Sequence, residues 1–120
     1  MYNFVAIFLF IYIVIYSINM VLVLGSYGTT AQGGLTYKFE VPNGKYNVSM
    51  GFFDPWAHKD RIEDILINGN VVEKELCPTV KGKVPNKYVA EVKDGILTVR
   101  VQKSINGKDK PLISWIIVSK

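Results

Sequence analysis

The sequence predicts an all-β domain, an antiparallel β-sandwich of the jelly-roll kind, preceded by an N-terminal hydrophobic segment. Three observations carry this expectation. From Leu35 onward, apolar and polar residues alternate in short runs that recur about every ten positions. Turn-forming groups stand between the runs: Pro42-Asn43-Gly44, Asn68-Gly69 and Asp94-Gly95. No stretch of that region has an amphipathic helical period. A length of 120 residues fits one domain with a single modest core.

The N-terminal segment, Phe4 to Leu24, reads FVAIFLFIYIVIYSINMVLVL and is apolar apart from Ser17, Asn19 and its tyrosines. As a helix it spans about 30 Å, the thickness of a bilayer's hydrocarbon core, so a transmembrane helix that anchors the chain is one reading. Its first part, Phe4 to Tyr16, has the length of a signal-peptide apolar region, and Val23 and Gly25 stand at a weak cleavage position. A start replaced or misassigned ahead of the domain is the third reading, since Met1-Tyr2-Asn3 lacks the Lys or Arg of an export signal. Residues 1–25 are thus set apart as a signal or anchor, and residues 26–120 as the sandwich. Helix is expected only in the first of these.

Within the sandwich, Leu35, Tyr37, Phe39 and Val41 alternate with Thr36, Lys38 and Glu40, the pattern of a half-buried strand. Pro42-Asn43-Gly44 turns the chain into a second strand with Tyr46, Val48, Met50 and Phe52 inward, and the two are expected to form a hairpin. After a loop from Asp54 to Arg61, Ile62 to Ile67 and Val71 to Leu76 make a hairpin about Asn68-Gly69, a type I′ signal. Residues 77–87, with two prolines, read as a surface connection in which Val80 or Val84 pairs briefly with an edge. Tyr88 to Val92 and Ile96 to Gln102 form a third expected hairpin about Asp94-Gly95, with Leu97, Val99 and Val101 inward. Leu112 to Val118 (LISWIIV) is apolar on both faces and therefore a strand inside the sandwich, with Trp115 in the core.

Charge narrows the functional classes. Every Asp, Glu, Lys and Arg lies at or beyond Lys38, and the net charge of +4 comes from lysines interspersed with acids, a solvated surface rather than a phosphate-binding stripe. Nucleic acid is not an expected partner. The single Cys77 excludes an intramolecular disulfide and is expected to be buried and inert. His58 has no second histidine and Cys77 no ligand spacing, so neither a metal nor a cofactor is expected.

The segments YGTT (Tyr27 to Thr30), GLTYKFEVPNGKYNVSMGF (from Gly34), INGNVV (from Ile67), VKDGILTVRV (from Val92) and PLISWIIV resemble, in that order, malectin-like, galactose-binding-type β-sandwich modules. The resemblance covers Ser26 to Lys120. It implies a non-catalytic carbohydrate-binding module of a secreted or cell-surface protein, of the kind that accompanies glycoside hydrolases, with a glycan or polysaccharide as partner. Family members carry further strands before the YGTT-like segment, where this chain has its hydrophobic run. The last strand then keeps a neighbour only if Met20 to Leu24 takes that place.

The loop from Asp54 to Arg61 (DPWAHKDR) holds the chemistry such a role needs: a flat aromatic face for sugar C–H groups, and ionised side chains that exchange hydrogen bonds with hydroxyls. Trp56 is the expected platform, Asp54 and Asp60 the acceptors, and Arg61, Lys59 or His58 the donors. The resemblance adds Tyr27 as a second aromatic wall. The competing reading makes Trp56 a cover for the core and Asp60 with Arg61 a solvated pair, in a structural or protein-interaction sandwich of a larger surface protein. A glycosidase would need two facing carboxylates, and Asp54, Asp60, Glu63 and Asp64 carry no sequence mark of such a pair. The sequon Asn47-Val48-Ser49 lies mid-strand and is read as chance.

Overall fold

Alternation along the chain becomes burial in space. In the computed structural model, which describes residues 6–7, 13–17, 20–27, 34–57, 59–78 and 87–120, Leu35, Tyr37 and Phe39 are buried while Lys38 and Glu40 are exposed. Among the described residues ten strands form two five-stranded sheets, and every pairing is antiparallel. The strands are β1 (Ala6–Ile7), β2 (Ile13–Ser17), β3 (Met20–Tyr27), β4 (Gly34–Glu40) and β5 (Gly44–Gly51), then β6 (Glu63–Ile67), β7 (Asn70–Leu76), β8 (Tyr88–Val92), β9 (Ile96–Lys103) and β10 (Leu112–Ser119). One sheet runs β1-β4-β9-β6-β7 and the other β2-β3-β10-β5-β8. The core lies between them, with Phe39, Val48, Met50, Ile65, Leu97, Val99 and Ile116 fully sealed from solvent. Such burial, about 25 cal/mol per Å² of apolar surface, is the main force holding the two layers together.

The β-sandwich is the expected fold, and β10 sits inside its sheet between β3 and β5, as its two apolar faces require. The turns need correction. Of the three expected hairpin turns, Asn68-Gly69 alone joins neighbouring strands: both residues have positive φ (50° and 82°), the geometry of a type I′ hairpin between β6 and β7. At Pro42-Gly44 and at Asp94-Gly95 the chain crosses from one sheet to the other, because β4 pairs with β9 and β5 with β8. The two crossings are stitched together. Val41 N–H donates to the Gly95 carbonyl at 3.0 Å, and Gly95 N–H donates to Asn43 Oδ1 at 2.8 Å. A turn signal fixes where the chain reverses, but the ladder partner is chosen by the other sheet edges.

The expectation of a helix between Phe4 and Leu24 is also corrected. Its described residues are strand, and among the described residues no helix is long and apolar enough to cross a membrane. β3 runs beside β10 from Leu112 opposite Tyr27 to Ser119 opposite Met20, and β2 pairs with β3. The cause is the edge of β10, whose backbone donors and acceptors need a partner, met by a segment rich in the β-branched and aromatic residues that favour strands. The connection holding Val80 and Val84 lies outside the described residues.

Candidate functional site

Trp56 is held out from the sandwich by a turn whose fastenings are buried. Phe52 ends the inward run of β5, Phe53 faces solvent, and the next side chain, Asp54, turns back into the protein. One carboxylate oxygen, Oδ1, accepts the Trp56 backbone N–H at 2.9 Å, while the Asp54 carbonyl accepts Ala57 N–H at 3.3 Å. Pro55, with its fixed φ, occupies the second position of this turn, and Ala57 leaves it in the left-handed region at φ 55°. The other oxygen, Oδ2, accepts Arg61 Nε at 2.9 Å, with the Asp54 side chain fully sealed and that of Arg61 5% exposed.

Arg61 extends the fastening to a second loop. Its guanidinium also donates to the Lys110 carbonyl and approaches Asp109 Oδ2 at 3.5 Å, so one planar fork ties the Trp56 loop to the segment before β10. Backbone bonds repeat the connection: the Asp60 carbonyl accepts Lys108 N–H at 2.9 Å and Asp109 N–H at 3.3 Å. Gly107 makes the approach sterically possible, since a Cβ there would stand 2.3 Å from the Ile62 carbonyl oxygen. On the resulting platform Trp56 is 57% exposed and Phe53 62% exposed.

Asp54 and Arg61, expected to face hydroxyls, instead face each other inside the protein. The reason is electrostatic: a carboxylate and a guanidinium taken out of water need close partners, and each provides the other's. Through Asp54 Oδ1 the pair holds the Trp56 backbone. Asp60 and Lys59 are exposed beside it, and His58 lies outside the described residues. Tyr27 is the last residue of β3, opposite Leu112, two residues from the Lys110 carbonyl that Arg61 holds, so its backbone reaches the same end of the sandwich. Cys77, expected to be buried, is half-buried, with Sγ 3.7 Å from the Lys59 carbonyl.

Sequence reasoning missed two residues. Phe53 falls between the expected inward run ending at Phe52 and the expected loop starting at Asp54, and Trp115 is not in the core, where the apolar run of its strand places it. Trp115 is half-buried on the outer face of its sheet, opposite Gly51, where a Cβ would fall 2.0 Å from the indole Nε1. The signal was Gly51 itself, because a glycine within a strand marks a close approach by something else. The run LISWIIV gives no alternation from which to choose a face.

Below the loop, Glu63 at the start of β6 is fully buried. Its Oε1 accepts Leu112 N–H at 3.3 Å, and its Oε2, like the nearby buried Ser104 Oγ, has no hydrogen-bond partner among the described residues. Burial pushes the Glu63 carboxyl up to about 9; the Leu112 N–H and the Arg61 charge draw it down, and the Asp54 charge adds to the rise. Asp64 is engaged through Oδ1 by Glu75 N–H at 2.9 Å. Among the described residues no three His, Cys, Asp or Glu side chains are grouped to hold a metal ion. At the far end of β6, a groove of about 560 Å³ lined by Lys38, Asn68, Glu91 and Asp94 among others has no aromatic wall.

No protein-family model matches the sequence, and neither does any curated protein. In fold, the chain is similar to part of Bacteroides uniformis beta-glucuronidase 2 covalently bound to cyclophellitol-6-carboxylate aziridine, with a TM-score of 0.58 at 20% identity. A calcium-binding mutant of that enzyme gives a TM-score of 0.59 at 21% identity. Both matches cover 83% of this chain and 11% of the enzyme's, and they establish a shared β-sandwich fold. A family 35 carbohydrate-binding module from Clostridium thermocellum is similar over 89% of this chain and 96% of its own, at 14% identity and a TM-score of 0.46.

Proposed function

We propose that the chain is a non-catalytic carbohydrate-binding module of the malectin-like, galactose-binding type, carried outside the cell by a secreted or surface protein and appended to a glycoside hydrolase. The observation that carries the reading is Trp56, 57% exposed on a turn fastened by the buried Asp54–Arg61 pair. Exposing a large apolar ring forgoes the stabilisation of burial, and fastening its backbone removes part of the ordering cost of stacking a ligand on it. A sugar's apolar face suits that ring, and the exposed Lys59 and Asp60 supply a donor and an acceptor at its margin. The glucuronidase likeness contributes the scaffold alone.

The non-catalytic part of the reading rests on the carboxylates. Glycoside hydrolysis by the usual route takes two of them on opposite sides of a bound glycosidic bond. Asp54 is spent on the turn and Glu63 is enclosed beneath it, so neither can reach a substrate without opening the loop. The test is a glycan array probed with the full chain. Binding to a defined glycan class, competed by the same soluble glycan, supports the proposal. Silence across a broad array of a folded sample sinks it and favours the structural or protein-interaction sandwich.

A further inference from the structure

Building on the carbohydrate-binding reading, we infer that the ligand is an internal stretch of an unbranched, uncharged glycan chain lying along the outer face of β5 and β10, contacted in turn by Trp56, Phe53 and Trp115, rather than a single terminal sugar. Trp115 and Gly51 are directly opposite in the β10–β5 ladder and so share a face, and the indole occupies the space a side chain at Gly51 would fill. One side of the ring is thereby backed by peptide, and the residue remains partly exposed. Phe53 lies two positions beyond Gly51. It lies just past the end of β5 and is exposed, while Phe52 before it is buried. Phe53 is fixed there by its N–H, which donates to Ser114 Oγ at 2.9 Å. Trp56 follows three residues after Phe53, exposed on the turn that Asp54 opens.

In the other direction the same face presents small polar groups. Ser49 is opposite Ile117, and the exposed Asn47 is opposite Ser119. From Phe53 to Asn47, neither β5 nor β10 places an ionisable side chain on this face, and charge returns at Lys45 with Glu91 of β8 opposite it. Aromatic rings followed by hydroxyl and amide groups suit successive units of a neutral chain. Beyond Lys59 at the Trp56 margin, an acidic glycan would meet no cation of β5 or β10 between Phe53 and Asn47.

The test is calorimetric titration of the full chain with β-1,4- and β-1,3-linked glucose, β-1,4-linked xylose and β-1,4-linked mannose oligosaccharides of one to six units, against uronic-acid oligomers of equal length. The expected result is an affinity that rises at least about tenfold between one and four units for a neutral series. Phe53→Ala and Trp115→Ala should each remove about tenfold of the affinity for the longer ligand and leave single-sugar binding unchanged. Phe53 is exposed, so that variant reports on binding even if Trp115→Ala melts early. Equal affinity for one and four units, with only Trp56→Ala weakening it, overturns the extended site and leaves the module intact. Preference for uronic-acid oligomers overturns the neutral ligand. No binding by the folded chain to any series overturns both this inference and the reading on which it rests.

Discussion

Arg61 Nε lies 2.9 Å from Asp54 Oδ2, both side chains all but sealed from water, and the second Asp54 oxygen holds the backbone N–H of the surface residue Trp56. A buried ion pair thus sets the position of an exposed ring. Removing one partner leaves the other charge enclosed without compensation. Arg61→Met should cost about 3–5 kcal/mol in urea unfolding, and the double change Asp54→Asn with Arg61→Met should recover part of that loss. A single Arg61→Met as stable as the parent would remove the pair from the account.

Gly107 should tolerate no side chain. A Cβ would meet the Ile62 carbonyl oxygen at 2.3 Å, a backbone atom that cannot swing aside, in the place where the segment before β10 crosses the Trp56 loop. Gly107→Ala should lower stability by about 1–3 kcal/mol. The check is a thermal melt beside Gly69→Ala, where the space is open but φ is 82°, so that any loss there reflects backbone strain alone.

Much of this fold was legible in the sequence, because burial follows a period-two pattern that can be read off: Leu35, Tyr37 and Phe39, or Leu97, Val99 and Val101, fall inward as they must. What could not be read is choice among partners. Pro42-Asn43-Gly44 turns the chain whether the next strand joins the same sheet or the facing one, and an apolar run such as Ile13 to Ser17 suits a bilayer or a sheet edge equally. In the site, the cluster of aromatic and charged residues was visible but its orientation was not. Asp54 and Arg61 carry the same letters whether they face a sugar or each other.

Deleting residues 1–24 should therefore destabilise the domain. The cut takes β1, β2 and most of β3, and strips the partner from β10 between Trp115 and Ser119. Loss of the sharp unfolding transition, read by near-ultraviolet circular dichroism, is the expected outcome. A truncated chain that melts like the full one would show the segment to be dispensable to the sandwich.

Glu63 should make the protein less stable as pH rises. Its carboxyl is raised from an ordinary 4.5 to about 9 in the folded state, so the native protein binds the proton more tightly than the unfolded chain. The sign follows: the contribution is complete below about 4.5, declines as pH climbs from there through about 9, and is then lost. Glu63→Gln, which keeps an acceptor for Leu112 N–H but has no proton to lose, should flatten that slope between pH 5 and pH 9. An unchanged slope in the variant would assign the pH dependence to other groups.

The central claim is that Trp56 is a sugar platform and not a cover for the core, and one paired measurement on Trp56→Ala tests it most directly. Titrate parent and variant with the glycan that binds the parent best, and melt both. Affinity should fall by about 1–3 kcal/mol, roughly 5- to 150-fold, as for other aromatic stacking contacts, while stability stays within about 0.5 kcal/mol, as for an exposed side chain. A variant that binds as tightly as the parent and melts well below it would contradict the account, since the indole would then be holding the fold together rather than the ligand.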